Sequence, residues 1–137
     1  MRYLLDTNIL SELTKPSPSE RLTQWLEEHE WNSAVSAVTI GELVRGVEIL
    51  PQGKKKNRLV QHIRFFQEDY RDRVLAFDEW VAVTWGRHCA KVHAAGLPLA
   101  TLDSQIAATA VHYELEVATR NEAHFPLVGT FNPFAET

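Results

Sequence analysis

At 137 residues, with 45% hydrophobic and 23% charged residues, the chain has the length and composition of a single globular domain over residues 1–137, which excludes wholesale disorder. Its formal net charge of −4 excludes a protein that coats nucleic acid through bulk positive charge, but not one that meets a polyanion through bound cations. No apolar run approaches the ~18 residues that cross a bilayer, and no charged-then-apolar leader opens the chain. The one cysteine, Cys89, excludes an internal disulfide, so a cytoplasmic protein without a membrane partner is expected.

The elements follow in order. Arg2 to Leu5 reads as a strand that delivers Asp6, Thr7 and Asn8 to its carboxyl end, and Ile9 to Leu13 as a short helix. Pro16 to Ser19 breaks the pattern. Ser19 then caps a helix to about Glu28, with Leu22, Trp25 and Leu26 on one face. Ala34-Val35 fits a second strand. Thr39 to Glu42 opens a helix carrying Ile40, Leu43, Val44 and Val47, which Pro51 and Gly53 close, with Lys54 to Lys56 in the loop beyond. Leu59, Ile63, Phe66 and Tyr70 have the spacing of a helix from about Arg58, and Arg73 to Phe77 reads as a third strand. Asp78 caps a long helix to Ala95 whose expected buried stripe is Val81, Trp85, Cys89 and Val92, and Gly96 stops it. Asp103 begins a small-residue helix to His112, Val117 to Thr119 is a fourth strand, and Val128 to Phe131 a fifth. Short strands alternating with helices, without repeat or linker, predict an α/β fold with a short, mostly parallel central sheet between two helical layers.

Three acids then stand in equivalent places: Asp6 at a strand end, and Glu42 and Asp103 in the first turns of helices. Each has a structural explanation. Asp6 and Asp103 suit N-caps, and Thr39 with Glu42 has the spacing of a capping box. Gathering all three without cations is costly, since two unit charges ~4 Å apart repel by about 4 kcal/mol at an effective dielectric of ~20. A divalent cation reverses that sign, and carboxylate oxygens suit Mg²⁺ or Mn²⁺. His62, His88, His93 and His112 show no zinc spacing with Cys89, and the glycines form no phosphate-binding loop. The cluster Lys54 to Lys56, Arg58, Arg64, Arg71 and Arg73 reads either as a solvated face or as a phosphate-steering one. A phosphotransferase using Asp6 as nucleophile, as in dehalogenase-like phosphatases, would want a second acid where this chain has Asn8.

Four motifs occur in register: Leu5-Asp6-Thr7-Asn8; Val38 to Leu43; Asp103 with Ile106, Ala107 and Ala108; and Ala118 to Asn121 followed by His124-Phe125. Together they resemble the PIN domain, specifically the VapC-type toxin ribonucleases that include FitB-like proteins, over nearly the whole chain. The resemblance implies a three-layer α/β/α fold and a Mg²⁺- or Mn²⁺-dependent endoribonuclease. Asp6, Glu42 and Asp103 would be its catalytic and metal-holding acids. It further implies that Thr7, Asn8, Arg120 and Asn121 orient the site or contact RNA, that a small antitoxin protein is the partner, and that the chain forms a homodimer. Many members of that family carry another acid where this chain has His124, and Glu122 is the neighbour able to substitute. The number of metal ions therefore stays open, and a catalytically weak binding or regulatory module on the same fold is the alternative. The exposed side of the Trp25 and Trp31 region or of the Leu59 to Phe66 helix could serve as the dimer surface, while the aromatics of both are expected in the core.

Overall fold

The computed structural model describes residues 1–135. Five strands, β1 (Tyr3–Leu5), β2 (Ser33–Ser36), β3 (Val74–Leu75), β4 (Glu116–Ala118) and β5 (Thr130–Phe131), form one sheet in the order β3-β2-β1-β4-β5. Every pairing is parallel, with Tyr3, Leu4 and Leu5 set against Ser33, Ala34 and Val35 on one side and Glu116, Val117 and Ala118 on the other. The helices are α1 (Thr7–Leu13), α2 (Glu20–His29), α3 (Ala37–Glu48), α4 (Lys54–Asp69), α5 (Glu79–Ala94) and α6 (Thr101–His112).

The central strand has no polar face. Side chains alternate across a strand, so Tyr3 and Leu5 point to one layer, where α1 to α4 contribute Ile9, Leu10, Leu22, Leu26, Leu43, Val47, Ile63 and Phe66. Leu4 points to the other layer, where Ile106, Ala107 and Ala110 of α6 meet Val117 and Phe125. The alanines bring α6 close to the sheet, and α5 packs on α6, with the Trp85 indole donating to Ser104 Oγ at 2.8 Å. The three-layer α/β/α architecture follows from this two-sided burial. Among the described residues no helix is long and apolar enough to cross a membrane.

Several local expectations change. Helix α3 starts at Ala37 under Ser36, whose Oγ accepts from the Val38 amide at 3.1 Å. Thr39 and Glu42 are therefore inside the helix and form no capping box, and Glu42 belongs to its second turn. Likewise α6 starts at Thr101, so Asp103 sits in its first turn and is not its N-cap. The lysine run is not a loop. It forms the first turn of α4, and Lys56 Nζ reaches back to the Glu48 and Leu50 carbonyls at the end of α3, at 3.1 and 3.3 Å. That contact uses carbonyls a helix end leaves without partners. Strand β3 is two residues long because Phe77 leaves the sheet to pack edge-on against Trp85. On α5 the buried positions are Val81, His88 and Val92; Trp85 and Cys89 are only partly covered. Trp31 is not core but 70% exposed, its indole donating to the Glu28 carbonyl, and Phe65 is also exposed. Trp25, by contrast, packs edge-on to Tyr3 and stacks on Phe131. Gly96 ends α5 at φ 69°, as expected of a left-handed C-terminal stop.

Candidate active site

The strand order reverses at β1, from which one connection leads toward β2 and β3 while β4 and β5 lie on the other side. In open parallel sheets the carboxyl ends of strands at such a switch point frame a crevice where ligands bind. Asp6 and Thr119, the residues that directly follow β1 and β4, meet in that crevice. The Asp6 amide donates to the Ala118 carbonyl at 2.9 Å, which extends the β1–β4 pairing by one step.

Asp6 passes from strand to helix without an intervening turn, with extended backbone (φ −69°, ψ 159°), and caps α1. Its carboxylate is buried, 6% exposed. Oδ1 accepts from the Thr7 amide at 2.7 Å and Oδ2 from the Thr119 hydroxyl at 2.8 Å. Thr119 Oγ1 in turn accepts from Asn8 Nδ2 at 3.3 Å and from the Asn121 amide at 3.0 Å. With both acceptor positions filled, that hydroxyl can only donate toward Asp6. The arrangement therefore selects a carboxylate, because an amide cannot accept at both of its ends.

Glu42 joins from the α3 side. The Thr7 hydroxyl donates to Glu42 Oε1 at 2.8 Å and lies 3.4 Å from the Thr39 hydroxyl. Asp103 comes from the first turn of α6, whose C-terminus leads into β4, so its N-terminus lies at the carboxyl edge of the sheet. The electrostatics are consistent with the three acids sharing one edge of the sheet. Burial raises the Asp6 carboxyl above its ordinary range, the Thr119 and Thr7 hydrogen bonds oppose that, and the charges of Asp103 and Glu42 add to it. Burial also raises Asp103, opposed by His124, whose Nδ1 lies 3.8 Å from Asp103 Oδ2.

The remaining expected residues border this centre. Asn8 Oδ1 accepts from the Arg120 amide at 3.3 Å, and Asn121 is held through its own amide on Thr119. Glu122 is turned to β5, its Oε1 accepting from Thr130 at 2.8 Å, so His124 is the residue of this segment that reaches Asp103. Two residues escaped the sequence reading in these roles. Thr119 was placed as a strand end and within the Ala118 to Asn121 motif but not as the partner of Asp6, although its position after β4 matches that of Asp6 after β1. Glu12, buried at 6%, carried no sequence signal at all.

Among the described residues no group of three or more His, Cys, Asp or Glu side chains is arranged to hold a metal ion. The chemistry of the donor set nevertheless suits one. Two acids have raised carboxyls, and Asp6 carries the unfavourable charges of the other two, a cost that a hard divalent cation reverses. A cleft of about 200 Å³ opens beside Thr7 and Glu42 toward Leu59 and Ile63. A larger concavity, about 940 Å³, lies along α4 by Leu13, His62 and Phe65 and contains none of the three acids. The chemistry and electrostatics of the carboxylates, not cavity size, mark the site.

Thr119→Val keeps shape but removes the donor on Asp6 Oδ2. The RNA cleavage that the family resemblance implies is expected to fall about 10- to 100-fold, the usual loss for a group that orients a metal-holding residue. The pH–rate profile should shift upward, because a hydrogen bond that favours ionised Asp6 is gone. A folded variant with unchanged rate and profile would contradict this.

Comparison with known proteins agrees with the geometry. Residues 3–129 match the PIN domain family. The chain is 42% identical to toxin FitB of Neisseria gonorrhoeae, over 96% of this chain and 97% of that one. It is 32% identical to VapC ribonuclease Y4jK of Sinorhizobium fredii, over 92% and 91% of the two chains. A solved structure of FitAB bound to an IR36 DNA fragment contains a chain that superposes with a TM-score of 0.87 at 38% identity, covering 98% of this chain and 97% of that one.

Proposed function

This chain belongs to the PIN domain family, as a relative of the FitB and VapC toxins, and from that premise we propose that it is a metal-dependent endoribonuclease acting as the toxin of a toxin–antitoxin pair. The observation that carries the reading is the buried Asp6 carboxylate, fixed at both oxygens and sensing the charges of Asp103 and Glu42. Asp6, Glu42 and Asp103 would hold Mg²⁺ or Mn²⁺. When bound, the ion neutralises the scissile phosphate and lowers the pKa of an attacking water. The chain's own residues do the rest. Thr7 and Thr119 keep the carboxylates aimed, Glu42 would complete the coordination or accept a proton from the water, and Asn8 and Asn121 fix the turn after β4. Arg120, half exposed at this rim, is suited to pair with a phosphate of the RNA.

By the same kinship the partner is a small antitoxin protein, the toxin works as a homodimer, and its place is the cytoplasm. A weaker, binding-only role has one observation in its favour: His124 takes the place of an acid and pairs with Asp103. The test is incubation of a mixed RNA substrate with purified, antitoxin-free protein and Mg²⁺ or Mn²⁺. Discrete internal cuts are expected. Intact RNA with either ion, from folded protein, would sink the nuclease reading in favour of the binding role.

A further inference from the structure

We infer that Glu12 is a positioning residue for Arg120, holding the guanidinium at the rim where RNA phosphate would arrive; this rests on the ribonuclease reading above. Glu12 is the buried charge that the chemistry so far leaves unused. A buried carboxylate persists only with partners, and this one has three. Oε1 pairs with Lys15 Nζ at 2.9 Å, and Oε2 accepts from the Ser19 amide at 2.9 Å. Those two fasten the start of α2, a purely structural service.

The third partner differs in kind. Arg120 Nη2 lies 3.7 Å from Glu12 Oε1, and Arg120 directly follows Thr119, the residue that holds Asp6. Asn8 and Glu12 are four residues apart on α1 and so share one face. From that face Asn8 Oδ1 takes the Arg120 amide while Glu12 faces the guanidinium. The guanidinium also lies 3.9 Å over the Phe134 ring. Phe134 is itself fixed, its amide donating to Asn132 Oδ1 at 2.9 Å.

The distances separate the two tasks of Glu12. At 2.9 Å Lys15 is a hydrogen-bonded partner, whereas at 3.7 Å Arg120 is held by charge without a short hydrogen bond. The Arg120 side chain is 48% exposed, and a guanidinium has five N–H donors. Held at one edge by Glu12 and on one face by Phe134, it keeps donors unused among the described residues. A planar fork presented this way matches two oxygens of one phosphate. Such a residue answers a problem specific to this site, whose acids would otherwise repel the backbone of the RNA.

The test compares the full-length wild type, Glu12→Gln, Arg120→Ala and the double variant. Each is assayed for steady-state cleavage of one RNA oligonucleotide with Mg²⁺, for binding of that RNA by fluorescence anisotropy, and for its thermal midpoint. Gln retains the acceptor for Ser19 but not the charge. Glu12→Gln is expected to raise KM and Kd about 3- to 10-fold, to leave kcat within about twofold, and to add nothing in the Arg120→Ala background, as coupled residues do. A KM and Kd equal to wild type, or an equal change with and without Arg120, would reduce Glu12 to fastening α2 and overturn the inference. Should Glu12→Gln fail to fold, Glu12→Asp keeps the charge but draws it back by one methylene. The same sign of change is then expected, and unchanged KM and Kd overturn the inference. A wild type that binds but does not cut, with the expected pattern in Kd, overturns the nuclease reading alone.

Discussion

Asp6→Asn is expected to abolish RNA cleavage, lowering the rate by about 10³-fold or more, while the protein stays folded. The size follows from the metal-holding role proposed for Asp6. A ligand carboxylate supports several kcal/mol of charge stabilisation by the metal, and each ~1.4 kcal/mol is a factor of ten in rate. Asn fills the same volume, so the sheet and α1 should persist. Stability is pulled two ways. Removing a buried charge that Asp103 and Glu42 oppose is favourable. An amide facing the Thr119 hydroxyl and the Thr7 amide, both donors to Asp6, leaves one donor without an acceptor, at about 1–3 kcal/mol. The thermal midpoint should therefore stay within about 5 °C of wild type. Retention of even a tenth of the cleavage rate would remove Asp6 from the centre of the chemistry.

Leu4→Ala has the opposite profile. Leu4 is fully buried in the middle of the central strand and points into the layer formed by α6, Val117 and Phe125. Strands on both sides fix its backbone, so the surroundings cannot close on the lost volume. The expected cost is about 3–5 kcal/mol, the upper range for such truncations. This would lower the thermal midpoint by on the order of 10–20 °C. Chemical denaturation with an unchanged m-value measures it, and a loss below about 1 kcal/mol would show that the core is looser than its burial implies. Together the two variants separate chemistry from scaffold two residues apart, one within β1 and one just past its end.

How far the sequence carried depends on whether the signal was local. A short apolar strand running directly into Asp6 announces itself, because both the alternation and the polar stop lie within eight residues. The three layers, the stop at Gly96 and the cap at Asp78, which takes the Val81 amide at 3.0 Å, were equally local. Helix starts were less legible where several residues could cap. Ser36 and Thr39 both qualify by type, and the choice of Ser36 rests on β2 ending there. The lysine run reads as a loop from charge alone, yet one of its members caps a preceding helix, which only the turn between α3 and α4 decides. Trp31 reads as core by residue type but lies on a 3-10 turn outside both clusters. Of the site, the acids were visible one by one and gained meaning from family resemblance. Thr119 and Glu12 depend on partners 113 and 108 residues away in sequence, which no local pattern encodes.

The central claim, that Asp6, Glu42 and Asp103 jointly hold a divalent cation, is tested most directly by calorimetric titration of Mn²⁺ into the metal-free protein and into Asp103→Asn. Saturable binding by the wild type that is lost in the variant is the predicted result. Absence of any binding by the folded wild type, or equal binding by the variant, would contradict it.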